Sequence, residues 1–405
     1  MKPSLVLIGN GMAGMRTIDE LLKISPGHYD ITVLGAEPHG NYNRIMLSPV
    51  LAGEKTIDEI MTHDRQWYVD HHIRLHTETC ITHIDSHSQK VIAENGTEYE
   101  YDRLIIATGS QPVILPIEGH DLDGVISFRD IHDVNTMINT AKTHKKAVVI
   151  GGGLLGLEAA NGLMIQGMDV TVVHRSDTLM NQQLDAAASA LMLVELEAKG
   201  LHFLMEHDTQ SLIGTDRVEK VCFKNGVEIE ADLVVMAVGI RPNIQLAQDS
   251  TIACDRGIYV DDTMKTYSPN IYAVGECVQY RNHTFGLVAP LYEQAKVCAQ
   301  QLAHQGNAKY SSSITATKLK VTGINLFSAG DFIGDDDSEL LILSDPARHI
   351  YKKLVLKNNK VVGIVLYGDT TDGNWYFSLL ERQTDVATIR DDMLFGRHQI
   401  DEELL

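Results

Sequence analysis

The feature that most constrains this chain is a pattern that occurs twice. Residues 5–34 contain a short apolar run, a glycine-rich turn, a helical stretch and a run of β-branched residues, and residues 147–173 repeat that order. A short apolar run of this kind predicts a strand buried in a parallel sheet. Each segment therefore predicts a strand–helix–strand unit, and we expect an α/β protein built around two such units.

The glycines stand in matching positions in the two turns. They follow the order G-x-G-x-x-G, after the strand and at the start of the helix, at Gly9, Gly11 and Gly14 and again at Gly151, Gly153 and Gly156. In this motif the first glycine makes a tight turn, the second lets a pyrophosphate approach the backbone, and the third packs helix against strand. One motif is weak evidence, but two in the same context predict two Rossmann-like dinucleotide-binding domains. The alternative is a pair of glycine-rich turns that bind nothing.

An acidic residue follows the second strand of the first unit. Glu37 stands where a carboxylate can accept hydrogen bonds from the 2′- and 3′-hydroxyls of an adenosine ribose. A ribose without a 2′-phosphate is the one that FAD carries, so FAD is the expected occupant of the first unit. The alternative is an ordinary surface glutamate at the end of a strand.

The second unit lacks this acid. His174 and Arg175 stand in its place, and an arginine beside the ribose is the usual contact for a 2′-phosphate. NADPH is therefore one expectation for this unit. The other is that Arg175 stacks on the adenine and the protein uses NADH, and the sequence leaves both open.

Three further apolar runs end at glycines. They are residues 104–109, with Thr108 and Gly109; residues 233–239, with Gly239; and residues 271–275, with Gly275 followed by Glu276, whose carboxylate could hold a flavin ribityl chain. Their order relative to the two motifs predicts that one dinucleotide domain is inserted into the other. The expected boundaries are residues 1–112 plus 241–310 for the FAD domain, 113–240 for the NAD(P) domain and 311–405 for a small α+β C-terminal domain.

Composition excludes several classes of function. The net charge is -20, whereas nonspecific nucleic-acid binding needs a basic surface. No apolar run approaches the roughly 20 residues of a membrane span, so we expect neither a nucleic-acid nor a membrane partner. The five cysteines are scattered without a C-x-x-C pair, which fits reduced thiols in the cytoplasm.

No catalytic or metal-binding constellation is evident. Hydride transfer between cofactors needs orientation rather than a nucleophile or an acid–base pair, so we assign no catalytic side chain. His63, His71, His72 and His76 lie near one another in the sequence, but the run that follows His72 alternates like a strand. We therefore interpret these histidines as surface residues and expect no metal site.

The motifs together resemble the pyridine nucleotide–disulfide oxidoreductase superfamily. The sequence is most similar there to the flavin-reductase part of the assimilatory NAD(P)H nitrite reductase large subunit, and it is also similar to rubredoxin and ferredoxin reductases. The residues that carry the resemblance are 8–14, 41–53, 272–277, 286–295, 317–323 and 366–373. The similarity extends to about residue 380.

The resemblance implies a set of cofactor contacts. For FAD the implied residues are Gly9, Gly11, Met12, Ala13, Gly14, Glu37, Arg44, Ile81, Thr108, Gly109, Gly275, Glu276 and Pro290. For NAD(P)H they are Gly151, Gly153, Leu155, Gly156, Glu158, His174, Arg175 and Gly239. Glu158 would flank the nicotinamide, although a plain acid at the start of a helix is an equally good interpretation.

Two departures from the superfamily shape the expected function. Residues 43–48 contain no cysteine, which argues against thiol–disulfide exchange and against peroxidase or water-forming oxidase chemistry. The chain also lacks the cysteine-ligated iron–sulfur and sirohaem regions of nitrite reductase, so we expect it not to reduce nitrite by itself. The leading hypothesis is electron transfer from NAD(P)H through FAD to a separate protein: a nitrite or nitrate reductase component, a rubredoxin or a ferredoxin. The alternatives are an oxygen-using NAD(P)H oxidase and a non-enzymatic, nucleotide-responsive FAD-binding protein, and homodimer formation is left open.

Overall fold

The first strand–helix–strand unit belongs to a five-stranded parallel sheet. The structure is a computed structural model that describes residues 2–304, 306–311, 314–321 and 323–400. The strands of this sheet, in spatial order, are Ile271–Ala273, Arg103–Ile106, Ser4–Ile8, Asp30–Leu34 and Arg74–His76. The helices Met12–Ile24 and Val288–Leu302 pack against each other beside it. Ser4–Ile8 is the central strand, since it is buried and pairs with a neighbour on each side. The first glycine motif therefore begins at the carboxyl end of the central strand.

A second parallel sheet repeats this plan within residues 125–236. Its strands are Val125–Ser127, Leu233–Met236, Lys146–Ile150, Asp169–Val173 and His202–Leu204, in spatial order. Its helices are Ile131–Thr143, Leu154–Ile165 and Ala186–Ala198. The first sheet draws strands from both before and after this segment, which supports the proposed insertion, and the exact domain boundaries stay a prediction.

Shorter elements connect and edge the two sheets. The antiparallel strands are Ile81–Asp85, Lys90–Ala93 and Glu98–Glu100; Thr209–Gly214, Val218–Phe223 and Glu228–Glu230; Val278–Tyr280 and His283–Thr284; Ser110–Pro112 and Ile240–Pro242; and Asn41–Tyr42 and Met61–His63. Ile258–Val260 pairs parallel to Val278–Tyr280. The short helices are Arg44–Met46, Leu47–Leu51, Ile57–Ile60, Arg65–Asp70 and Gln245–Asp249. Ser110–Pro112 pairs with Ile240–Pro242, so the two chain segments that connect the parallel sheets lie side by side.

The C-terminal part is a five-stranded antiparallel sheet with one helix. The strands, in spatial order, are Thr317–Val321, Ile324–Gly330, Lys360–Tyr367, Ile350–Lys357 and Glu339–Asp345. The helix is Gly373–Arg382, and the single turns are Pro346–Arg348, Met393–Phe395 and Arg397–Gln399. One face of the sheet packs on the helix, as the sequence predicts. Residues 401–405 of the chain lie outside the described residues.

The other face of the C-terminal sheet packs on the second parallel sheet's domain. Tyr351 and Tyr367 belong to the same apolar cluster as that domain's helices. The Tyr351 hydroxyl donates to Asp185 (2.8 Å), the Lys353 ammonium lies 3.2 Å from the same carboxylate, and the Tyr367 hydroxyl donates to Glu195 (2.8 Å). The C-terminal sheet is therefore fixed to the helix Ala186–Ala198, which Asp185 caps. None of the helices in the described part of the chain is both long and apolar enough to cross a membrane.

Candidate functional site

The two glycine loops are built alike at their first glycine. Gly9 has φ +102° and donates its N–H to Leu34 (2.8 Å); Gly151 has φ +126° and donates to Val173 (2.9 Å). A Cβ atom at either glycine would lie 2.2 Å from a backbone carbonyl oxygen. Both positions therefore require glycine for two reasons, the positive φ and the close approach of a neighbouring strand.

The second and third glycines differ in what surrounds them. A Cβ atom at Gly14 or Gly156 would meet the carbonyl oxygen of the first glycine at 2.9 or 1.9 Å, whereas at Gly11 or Gly153 it would meet nothing within 4 Å. Gly11 begins the helix Met12–Ile24 without a side-chain cap, so the first N–H groups stay available. Open space beside a free helix N-terminus suits a phosphate group.

A large cleft runs from the first loop between the domains. Its volume is about 1360 Å³, larger than the roughly 300–1,000 Å³ of a typical small-ligand pocket. The predicted residues that line it are Gly9, Gly11, Met12, Ala13, Glu37, Arg44, Ile81, Thr108, Gly109, Leu155, Glu158, Gly275 and Glu276. Gly14, Gly151, Gly153, Gly156, His174, Arg175, Gly239 and Pro290 are not among its lining residues. The cleft therefore extends from the first glycine loop to the helix that follows the second loop.

Two acids in the cleft are each paired with an arginine. Glu37, three residues beyond its strand, pairs with Arg44 and accepts from the Tyr42 hydroxyl (2.7 Å). Glu276 pairs with Arg129 (2.5 Å) and accepts from the Ser110 hydroxyl (2.7 Å).

Arg44 and Arg129 are themselves connected, since the Arg44 guanidinium donates to the Arg129 carbonyl oxygen (2.8 Å). The sequence reasoning missed Arg129, Ser110 and Tyr42. No local motif marks them, because they reach the cleft only through folding.

A half-buried carboxyl faces the cleft from the second domain. Glu158, on the helix Leu154–Ile165, accepts a hydrogen bond from the Ser48 hydroxyl at 2.5 Å. Burial raises the pKa of Glu158, and the bond from Ser48 offsets only part of that rise. Glu158 and Leu155 thus bring the second domain to the same cleft as the first loop, as hydride transfer between two cofactors requires.

The residues after the second strand have separate roles. His174 accepts the Gly152 N–H at Nδ1 (3.1 Å) and faces the Thr178 carbonyl through Nε2 (3.1 Å), so both ring nitrogens are engaged with backbone. Burial lowers the pKa of His174, which favours this neutral form. Arg175 is exposed, and no hydrogen bond or ion pair to it is found among the described residues. Arg175 is therefore the remaining candidate for a 2′-phosphate contact.

One of the four clustered histidines is not a surface residue. His71 and His72 are exposed and His76 is half-buried, but His63 is only 5% exposed, so that part of the prediction is wrong. His63 is buried because it ends the strand Met61–His63, where it lies opposite Asn41 and its ring packs against Trp67. Within the described ranges, no group of three or more His, Cys, Asp or Glu side chains is arranged to hold a metal ion.

The fold and the cleft define the class of protein. The free helix N-terminus, the open space at Gly11 and the carboxylate of Glu37 fit FAD, and the second loop repeats the same backbone construction. Residues 3–301 match the family model described as pyridine nucleotide-disulphide oxidoreductase, and residues 316–384 match the rubredoxin NAD+ reductase C-terminal domain. The chain belongs to the pyridine nucleotide-disulphide oxidoreductase family and is an FAD-dependent NAD(P)H oxidoreductase, so the predicted family and fold class are confirmed.

Relatives at the level of sequence and structure agree with this assignment. The chain is 50% identical over 95% of its length to a nitrite reductase [NAD(P)H] of Bacillus subtilis (strain 168), covering 48% of that protein. It is 44% identical over 97% of its length to an assimilatory nitrate reductase electron transfer subunit of the same organism, covering 51%. The structure of NADH:rubredoxin oxidoreductase from Clostridium acetobutylicum is 26% identical with a TM-score of 0.82, over 96% of this chain and 97% of that one. The chain thus spans about half the length of the first two relatives.

Proposed function

We propose that the protein takes a hydride from NAD(P)H and passes the electrons to a separate redox protein that serves nitrite or nitrate reduction. The names of the two Bacillus subtilis relatives support this acceptor class. A rubredoxin or a ferredoxin is the second candidate, favoured by the C-terminal domain match. The five cysteines are free thiols, which supports the proposal that the protein works in a reducing compartment such as the cytoplasm.

The observation that carries the proposal is a cleft shared by both dinucleotide domains. Hydride transfer from nicotinamide to flavin is the chemistry that the two cofactors supply when bound. The chain's own residues orient the nucleotides: the backbone at Gly11 receives the pyrophosphate, and Glu37 and Glu276 receive ribose and ribityl hydroxyls. Leu155 and Glu158 bound the place where the nicotinamide would lie.

The rim of the cleft offers a contact for the acceptor. Ile45 and Ile165 line the cleft, although 55% and 51% of their surfaces are exposed. Residues Thr315 to Lys318 at the start of the C-terminal domain line it as well. Exposed apolar side chains at the rim of a redox cleft can form the contact surface for an acceptor protein that binds transiently.

An anaerobic experiment tests the proposed function. We expect NADH or NADPH to bleach the yellow protein, air to restore the colour slowly, and an acceptor protein to restore it quickly. Absence of bleaching would favour the FAD-binding protein without activity, and fast recovery in air would favour the oxidase.

Paired variants test the acceptor contact. Ile45→Ser should slow reoxidation by the acceptor protein but leave bleaching unchanged. Ile213→Ser is the matched control, because Ile213 is similarly exposed (47%) but is not among the residues that line the cleft. If both substitutions slowed reoxidation equally, the rim of the cleft would not be the contact for the acceptor.

A further inference from the structure

A buried histidine lies behind the first glycine loop and takes no part in the proposed electron transfer. His63 ends the strand Met61–His63, directly opposite Asn41. Its ring packs on Trp67, with centroids 4.0 Å apart, and only 5% of its surface is exposed. A titratable ring that is buried this completely needs partners at both nitrogens.

The first partner connects His63 to the loop. Asn41 donates its side-chain N–H to the carbonyl oxygen of Asn10 (2.9 Å), which lies between Gly9 and Gly11. A carbonyl oxygen only accepts, so the amide orientation of Asn41 is determined and its Oδ1 atom faces Nδ1 of His63 (3.1 Å). His63 therefore donates from Nδ1 and holds Asn41 in the orientation that binds the loop.

The second partner connects His63 to the helix that follows the loop. Nε2 lies 3.0 Å from a carboxylate oxygen of Asp19, on the helix Met12–Ile24. Both ring nitrogens are thus engaged, and the contact at Nε2 anchors the ring to that helix. Asp19 and Tyr68 are the titratable groups that face the ring, and burial raises the pKa of Tyr68 to about 12, which keeps it neutral.

Tyr68 reinforces the same connection. Its hydroxyl accepts the Asn41 backbone N–H (3.1 Å) and donates to the side-chain oxygen of Asn10 (2.7 Å). Asn10 is therefore held at its carbonyl and at its side chain by residues outside the loop. A loop that is already ordered loses less conformational entropy when a ligand binds.

We propose that His63 is a positioning residue for FAD: it holds Asn10 of the first glycine loop through Asn41 and anchors that pair to the following helix through Asp19. The inference rests on FAD as the occupant of the cleft. It predicts that the free loop loses its order when either link is broken, so FAD binds more weakly while the rest of the domain stays folded.

The experiment measures the Kd for FAD by equilibrium dialysis with the FAD-free protein, and the stability of that protein by urea unfolding. Asn41→Asp keeps an acceptor for His63 but cannot donate to Asn10, and His63→Ala removes the anchor. We expect the Kd to rise about fivefold or more in both, the effect of one lost buried hydrogen bond. His71→Ala is the control, because His71 also stacks on Trp67 (4.3 Å) but is exposed, and within the described residues no hydrogen bond joins it to the loop.

Each outcome decides the inference. A Kd within twofold of wild type in folded Asn41→Asp or His63→Ala, or an equal loss in His71→Ala, overturns it. Tyr68→Phe is the second variant, because it removes only the hydroxyl that donates to the Asn10 side chain; an unchanged Kd in Tyr68→Phe also overturns the inference. A wild-type protein that binds no FAD at all would instead refute the cofactor assignment.

Discussion

Single glycines separate cofactor binding from folding in this protein. The space beside Gly11 and Gly153 is open, so Gly11→Val should fold but obstruct the pyrophosphate and give colourless protein. Gly153→Val, the same change in the second loop, should stay yellow and lose reduction by NAD(P)H. Absorbance spectra before and after NAD(P)H addition measure both effects. A yellow Gly11→Val protein would contradict the role of the first loop.

Arg175 decides which nicotinamide dinucleotide is used, if it contacts the 2′-phosphate. Because His174 is engaged with backbone, Arg175 is the charged group left at that position. Arg175→Glu should lower kcat/KM for NADPH by about ten- to a hundredfold, the effect of a charge-assisted contact of roughly 1.5–3 kcal/mol. NADH kinetics in the same variant are the internal control, and equal losses would show that Arg175 only stacks.

Glu158 should give the protein a recognisable pH dependence. Burial raises its pKa in the folded protein, so between the ordinary and the raised value only the unfolded chain releases the proton. The free energy of unfolding therefore falls as pH rises through that window. Glu158→Gln has no carboxyl group to titrate and does not show this fall. Urea unfolding from about pH 4 to about pH 8 should therefore show that the free energy of unfolding of Glu158→Gln increases relative to that of wild type as pH rises. A constant difference would contradict the raised pKa.

At the scale of elements, the helix Ala186–Ala198 depends on one carboxylate. Asp185 caps its N-terminus and also pairs with Lys353, whose side chain is 8% exposed. Asp185→Ala removes a cap, which costs about 1 kcal/mol, and leaves a buried ammonium unpaired, which costs about 3–5 kcal/mol.

Urea unfolding should therefore show a loss of several kcal/mol in Asp185→Ala. Asp123→Ala removes an exposed partner of Arg217 and should cost less than about 1 kcal/mol. Similar losses in both variants would refute the role of Asp185 in fixing the C-terminal sheet to the helix Ala186–Ala198.

The sequence predicted those elements whose signal is local. Both strand–helix–strand units, with their glycines, lie within about 30 residues each, and the structure builds them alike. Arg129 pairs with Glu276, which is 147 positions away in the sequence, and Ser48 pairs with Glu158, which is 110 positions away. Such pairs depend on how the two sheets are placed, which no spacing in the sequence encodes. His63 was misjudged for the same reason, since Asp19 and Asn41 approach it from separate elements.

For the whole molecule, we expect electron transfer that stops at the flavin until an acceptor is present. Protein of these 405 residues should reduce an artificial one-electron dye with NAD(P)H and consume no nitrite, because its five cysteines are dispersed. Nitrite and dye assays on the same sample measure this, with added acceptor protein as the positive control. Nitrite consumption by the isolated chain would contradict the proposal.

The C-terminal domain is better probed by point substitutions than by deletion. Removing residues from about 315 would uncover the apolar surface that Tyr351 and Tyr367 cover and would unpair Asp185. A truncated chain would therefore lose stability together with any docking surface, and a failed assay would say nothing about the acceptor.

The two glycine loops are held at the same middle position, each with the help of a histidine from outside the loop. His174 accepts the Gly152 N–H of the second loop directly, and His63 reaches Asn10 of the first loop through Asn41. Burial lowers the pKa of His174, so its ring keeps accepting this bond as the solution becomes mildly acidic. Stronger acid that protonates Nδ1 would break the bond, so the use of NAD(P)H should fail in acid while the flavin is still bound.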